Sequence, residues 1–215
     1  MIITERDLRL LRWVNGWGAV TVAQVAVWLL VDFSTAARRV RKLIEGGFLR
    51  RLPVSGLTVQ PVAMTKLGCE AANDPLRPLA GIRVATWPHD SKMVDLEARI
   101  LQRFPDGVLH PDRRIRSNRK LEGSSFRHVP DAELERAGSR PIAIELELSK
   151  KAPDRLQAII DGYVTDRTYV AVFYLSDDED VARYVSRFTE GLRDFVKVQL
   201  VRPHSQTHKE ANHER

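Results

Sequence analysis

The sequence predicts an α+β protein in two parts, on three observations. The first third holds three runs with apolar residues at helical spacing, then two β-rich runs around a Gly turn. A stretch rich in Pro and Gly interrupts the pattern at 73–81. Beyond it strand-like and helix-like runs alternate, as in a sheet covered by helices.

Thr4 predicts an N-cap for a helix from Glu5 to about Trp17, with Leu8, Leu11 and Val14 on its apolar side and Gly16 and Gly18 ending it. A second helix follows Thr21, where Val22, Val25, Ala26 and Leu29 form one stripe. Ser34 predicts the cap of a third helix, 34–45. Its Val40, Leu43 and Ile44 face inward, so Arg38, Arg39, Arg41 and Lys42 are expected to face outward. Gly46 and Gly47 stop it. Two β-rich runs, 48–54 and 57–62, predict a hairpin, and a short helix follows at 65–72.

Three helices with a basic third one, then a hairpin, is the order of a winged helix-turn-helix, assigned to residues 1–73. Such a helix fits the major groove, where arginines reach phosphates or guanine edges. Six basic side chains between Arg38 and Arg51 face one acid, Glu45. A solvated surface helix is the plainer reading, and that imbalance weighs against it. The candidate DNA contacts are Thr35, Arg38, Arg39, Arg41 and Lys42, with Arg50 and Arg51 on the hairpin.

Residues 74–88 are read as a linker and 89–203 as the second domain. The latter predicts a helix at 89–103, strands at 108–115, 128–134 and 141–149, a helix at 154–166, a strand at 168–175, a helix at 178–191 and a strand at 195–201. The strand 168–175 is the most apolar and is expected to be central. Arg113, Arg114, Arg116, Arg119 and Lys120 form a basic stretch without aromatics, read as a loop for backbone phosphates. The polar tail 204–215 is expected to fray.

Asp131 precedes Glu145 and Glu147, which share one face of their strand by alternation. On neighbouring strands the three carboxylates would converge, and a hard cation such as Mg²⁺ would offset their repulsion. A half-exposed strand with a polar face gives the same alternation. Glu97 is read as an exposed helix residue, and His128 as a strand cap. Trp13, Trp17 and Trp28 are expected in the helical core.

The core order α-β-β-β-α-β, with Pro130-Asp131 on one strand and Glu145-x-Glu147 on the next, resembles the PD-(D/E)XK, restriction-endonuclease-like fold over residues 89–203. That resemblance implies Asp131 and Glu145 as metal-binding acids. Glu147 stands where the fold usually carries a catalytic lysine, so Asp131, Glu145 and Glu147 are the catalytic set if the domain cuts. Joined to the winged helix, with Pro88-His89-Asp90 and the run from Ile144 to Lys151, the chain resembles the replication-relaxation family of plasmid and mobile-element proteins. This implies DNA binding in plasmid replication or conjugative relaxation, and no activity for the family. Double-stranded DNA is the expected partner, a relaxase or replication initiator is a candidate protein partner, and a second copy of the chain is another because winged-helix proteins often dimerise on palindromes.

Composition narrows the alternatives. The chain has 215 residues, 43% hydrophobic and 29% charged, with a formal net charge of +6. That suits a globular chain with an anionic partner. One cysteine, Cys69, excludes an intrachain disulfide and a zinc site built on cysteines. No apolar run approaches ~20 residues, and the charged N-terminal stretch does not read as a secretory signal, so a cytoplasmic protein without a membrane partner is expected. There is no phosphate-binding loop and no nucleophile elbow. The leading expectation is an accessory DNA-binding protein, with no certain cofactor and Mg²⁺ only if the acidic site is active. An Mg²⁺-dependent endonuclease and a transcriptional regulator are the alternatives.

Overall fold

A computed structural model describes residues 2–54, 56, 58–121 and 128–201. Among them are eight α-helices, a two-stranded ladder and a five-stranded mixed sheet, an α+β architecture. No helix among the described residues is long and apolar enough to cross a membrane.

Helices α1 (Glu5–Trp17) and α2 (Val22–Leu29) begin at reciprocal caps, Thr4 with Asp7 and Thr21 with Gln24. The chain leaves α1 through Gly18 at φ 85°, a conformation that a Cβ would strain. Helix α3 (Phe33–Glu45) is capped by Asp32, not by Ser34. The Asp32 carboxylate accepts from the Thr35 amide at 2.9 Å and from the Ser34 and Thr35 hydroxyls, so the helix starts one residue earlier than expected. The hairpin strands are shorter than expected: β1 (Leu49–Arg51) pairs antiparallel with β2 (Val62–Met64), and Val20 bridges to Val62. Ser55 and Leu57, at the expected turn, lie outside the described residues. Helix α4 (Lys66–Ala72) closes this half. Its core joins Leu10, Leu11, Val14, Val25, Val40 and Leu43 with Leu49, Val62 and Met64.

Residues 73–86 form no regular element but are not a free tether. Asp74 is buried and Arg114 grips it with both terminal nitrogens at 2.6 Å. Arg50 donates to the Leu79 and Ala80 carbonyls at 2.7 and 2.8 Å. Helix α5 (Trp87–Arg103) then starts two residues before the expected 89, with Pro88 in its first turn, where no intrahelical N–H is needed.

Strand β3 (Gly107–Pro111) ends at a proline, which cannot donate to a ladder. Asp112 opens α6 (Asp112–Leu121), so the expected strand to 115 and the basic loop are instead a short strand and a helix. An acidic first turn suits the helix dipole. Strand β4 (Ala132–Arg136), β5 (Ile142–Leu146), α7 (Pro153–Thr165), β6 (Ala171–Ser176), α8 (Glu179–Phe188) and β7 (Val196–Leu200) complete the half. Residues 204–215, expected to fray, lie outside the described residues.

The sheet order is β3-β4-β5-β6-β7, antiparallel on the β3 and β4 side and parallel from β5 to β7. The middle strand is β5, buried at every position; β6, expected to be central, is its neighbour. Alternation sends Ala143, Val172 and Tyr174 towards α7 and α8, and Ile142, Ile144 and Leu146 towards α5. The two halves share apolar packing: Val94 of α5 joins the helical core, and Trp17 packs against the core under the sheet.

Candidate nucleic-acid interface and carboxylate site

Helix α3 buries Ala36, Val40 and Leu43 and presents Arg38, Arg41 and Lys42 to solvent. Arg38 donates to Thr35 Oγ1 at 3.3 Å, and Arg41, 65% exposed, lies 3.9 Å from Glu45. Both links are local and exposed, so each side chain can swing to a phosphate at little cost. Arg51 is also exposed, on the hairpin. Arg38, Arg41 and Lys42 form the exposed basic side of α3, with Thr35 near its start held by Asp32.

Two expected contacts are engaged elsewhere. Arg39 does not face outward: it pairs with Asp7 of α1, and their side chains are 20% and 1% exposed. Burial raises the Asp7 carboxyl, but Arg39 and Thr4 outweigh it and hold it below the ordinary carboxylate value. Arg50 is held by the carbonyls of residues 79 and 80. Neither presents a free guanidinium to phosphate.

The basic stretch divides similarly. Arg113 donates to the Asn15 carbonyl and, at 2.8 Å, to that of Arg77. Arg114 binds Asp74 and the Arg12 carbonyl at 2.9 Å. Arg119 binds Glu133 and the Tyr169 hydroxyl. Arg116 is exposed and, among the described residues, pairs with Asp112 at 3.3 Å on its own helix. The Lys120 side chain lies outside the described residues. The predicted phosphate-binding loop is therefore largely an internal brace. Its partners are too distant in sequence for local spacing to reveal.

The carboxylates lie where strand parity puts them. One step beyond the Ala132–Ile144 pair, Asp131 stands opposite Glu145 across β4 and β5. Yet each carboxylate has its own partners. Asp131 Oδ2 accepts from the Leu146 amide at 2.8 Å and lies 3.1 Å from His89 Nε2. His89 Nε2 is also 3.1 Å from the Leu146 carbonyl. Burial lowers the imidazole's basicity, but Asp131 and Asp90 outweigh it and raise its pKa to about 10, so His89 is a cation at neutral pH. Glu145 is fully buried against α7 and takes hydrogen bonds from the Tyr163 hydroxyl and from His128 Nε2 at 2.7 Å. Burial still pushes its pKa up. Glu147 pairs with Lys151, four residues further along the chain, and burial likewise raises it.

Nothing in the local pattern identifies His89 or Tyr163 as partners. His128, read as a strand cap, meets Glu145 instead. Among the described residues no three His, Cys, Asp or Glu side chains are grouped as metal ligands. As arranged, Asp131 and Glu145 are each engaged by protein partners, His89 and the Leu146 amide for the one and His128 and Tyr163 for the other. Tyr174, paired in register with Glu145, keeps its hydroxyl buried without a hydrogen-bond partner among the described residues. Burial and the nearby Glu145, Glu147 and Asp131 all raise its pKa.

Glu97, read as exposed, is 8% exposed and joins the two halves. Its Oε2 accepts from the indoles of Trp13 and Trp17 at 2.5 and 3.0 Å. Trp13 stacks on Trp28 with ring centroids 5.3 Å apart. Burial lifts the Glu97 pKa to about 7 against the pull of the two indoles.

No family model matches the chain, and no curated protein or solved structure matches it.

Proposed function

We propose that the protein is a double-stranded DNA-binding accessory factor of the replication-relaxation type, acting in plasmid or mobile-element replication or conjugative relaxation. In this reading residues 2–73 act as a winged helix, with α3 in the major groove and Arg51 over the flanking backbone. The five-stranded half is a nuclease-like scaffold for DNA or protein contact that does not cleave.

One observation carries the DNA reading: Arg38, Arg41 and Lys42 lie exposed on a helix that buries its other side. The scaffold reading rests on the internal partners of the three carboxylates. A cation at His89 and another at Lys151 offset charge that a catalytic metal would otherwise neutralise.

The test is a mobility shift on supercoiled plasmid with and without Mg²⁺ or Mn²⁺, beside Arg41→Ala and Glu145→Ala. The expected result is a shift at every metal condition, intact plasmid, and weaker binding by Arg41→Ala. The salt slope of that variant should be shallower by about one unit for each phosphate it no longer neutralises. Metal-dependent nicking that Glu145→Ala lacks would replace this reading with the endonuclease. Unchanged binding by Arg41→Ala and Lys42→Ala would remove α3 as the reader.

A further inference from the structure

Three large apolar side chains stand out of the fold around the turn between α2 and α3. Val27 is 57%, Leu30 91% and Phe33 61% exposed, and all three lie outside the apolar cores among the described residues. Single apolar residues on a surface are ordinary, but three at three-residue steps around one turn mark a contact surface. Leu30 carries a second cost. It closes α2 in the left-handed conformation at φ 55°, where glycine would sit without strain.

What lies beside the patch selects its partner. Phe33 is the first residue of α3, and the exposed Arg38, Arg41 and Lys42 follow on the same helix. A second copy seated on this face would bring two sets of these cations together, with Asp32 and Glu45 as the acids of the helix and its cap. Duplex DNA brings the opposite charge. At the tip of α3 the polar side chains are already engaged, because the Ser34 and Thr35 hydroxyls both donate to Asp32. The Phe33 ring is the large side chain left there to meet a base. The N-terminal residues of a recognition helix are the ones that reach base edges. In the major groove an aromatic ring finds one apolar feature, the C5-methyl group of thymine; the other three bases show donors and acceptors there.

We propose that Phe33 reads thymine in the duplex site, its ring against C5-methyl groups in the major groove, with Leu30 extending that apolar contact from the turn. This rests on the reading that α3 lies in the major groove. Phosphate contacts by Arg41 and Lys42 would position the helix without carrying sequence information, and the methyl contact supplies a base preference.

The experiment compares one duplex with and without its methyl groups. A duplex enriched by the full chain from a random-sequence pool is amplified with dTTP or with dUTP. Its affinity is measured by mobility shift for the wild type, Phe33→Ala, Leu30→Gly, Arg41→Ala and Lys42→Ala. The wild type should bind the thymine duplex at least about fourfold more tightly, the worth of one buried methyl-sized group. Phe33→Ala should bind both duplexes alike and keep the salt slope of the wild type, since an apolar contact releases no counterions. Leu30→Gly should narrow the thymine preference. Phe33 lies outside the core and Leu30→Gly relieves a left-handed residue, so both variants should fold. Equal wild-type affinity for the two duplexes, or a thymine preference retained by Phe33→Ala, would overturn the proposal and leave α3 as the reader. An oligomer that Phe33→Ala and Leu30→Gly dissolve in sedimentation, with the thymine preference intact, would assign the patch to a second copy and overturn it too. Unchanged binding by Arg41→Ala and Lys42→Ala would instead remove the major-groove reading beneath it.

Discussion

Arg39 and Arg41 stand two residues apart on one helix and have opposite roles. Arg39 neutralises a buried Asp7, so Arg39→Ala leaves an uncompensated carboxylate and should cost about 3 kcal/mol in urea unfolding. Arg41→Ala should leave stability within ~0.5 kcal/mol and weaken DNA binding instead. The reverse pattern in those two assays would refute the assignment. Glu97 makes a second prediction. Its carboxyl ionises in the ordinary range when the chain is unfolded and near 7 when folded. Folding therefore takes up a proton between those values, and stability falls as pH rises through that window. By this group alone the loss from pH 5 to pH 8 should be about 2–3 kcal/mol. Glu97→Gln should flatten the profile; parallel profiles for both proteins would contradict it. The outward placement of Arg38, Arg41 and Lys42 is legible from helical spacing, as is the shared face of Glu145 and Glu147. That of Arg39 is not, because its partner Asp7 lies on a different helix. The burial of Glu97 is not either, because the indoles that make it tolerable arrive from α1.

Among the elements, those that begin with a local signal are legible in the sequence. Thr4 and Thr21 cap α1 and α2 as their spacing suggests, and the runs behind β5, α7 and β6 fall within a few residues of their expected places. Helix α6 is not legible, because two forces act there that sequence spacing does not display. Pro111 ends the strand early, and Arg113 and Arg114 are drawn to Asn15, Arg77 and Asp74, far back in the chain. The hairpin is shorter than its composition suggests because apolar residues mark burial as readily as pairing; Leu52 is buried yet belongs to no strand. Contact between elements sets a further prediction at Gly68 of α4. A Cβ there would lie 2.4 Å from the Phe48 carbonyl oxygen, which backbone cannot easily yield. Gly68→Ala should therefore destabilise the protein by about 1–3 kcal/mol, as overpacking does, and a melting temperature equal to wild type would show that α4 can move away.

At the scale of the molecule, the expected linker is where sequence and structure differ most. The chain between α4 and α5 is tied to α6 through Asp74 and Arg114, and α2 is tied to α5 where Gln24 Nε2 meets the Ser91 carbonyl at 2.9 Å and Asp95 Oδ1 at 2.8 Å. Partly buried bonds of this kind couple the halves, so calorimetry of the whole chain should give one cooperative transition. Residues 1–73 expressed alone should melt at a lower temperature, deprived of Val94 in their core and of Glu97 beside their tryptophans. Two well-separated transitions would show that the halves fold as independent units. On the proposed DNA-binding reading, the brace through α6 also has a geometric consequence for how neighbouring sites are spaced. A molecule seated by α3 would carry its sheet to a fixed angular position around the duplex. Any neighbour touching that sheet would then have to sit in phase with it. Inserting about five base pairs between their sites, half a turn of the double helix, should break the joint complex, and about ten should restore it.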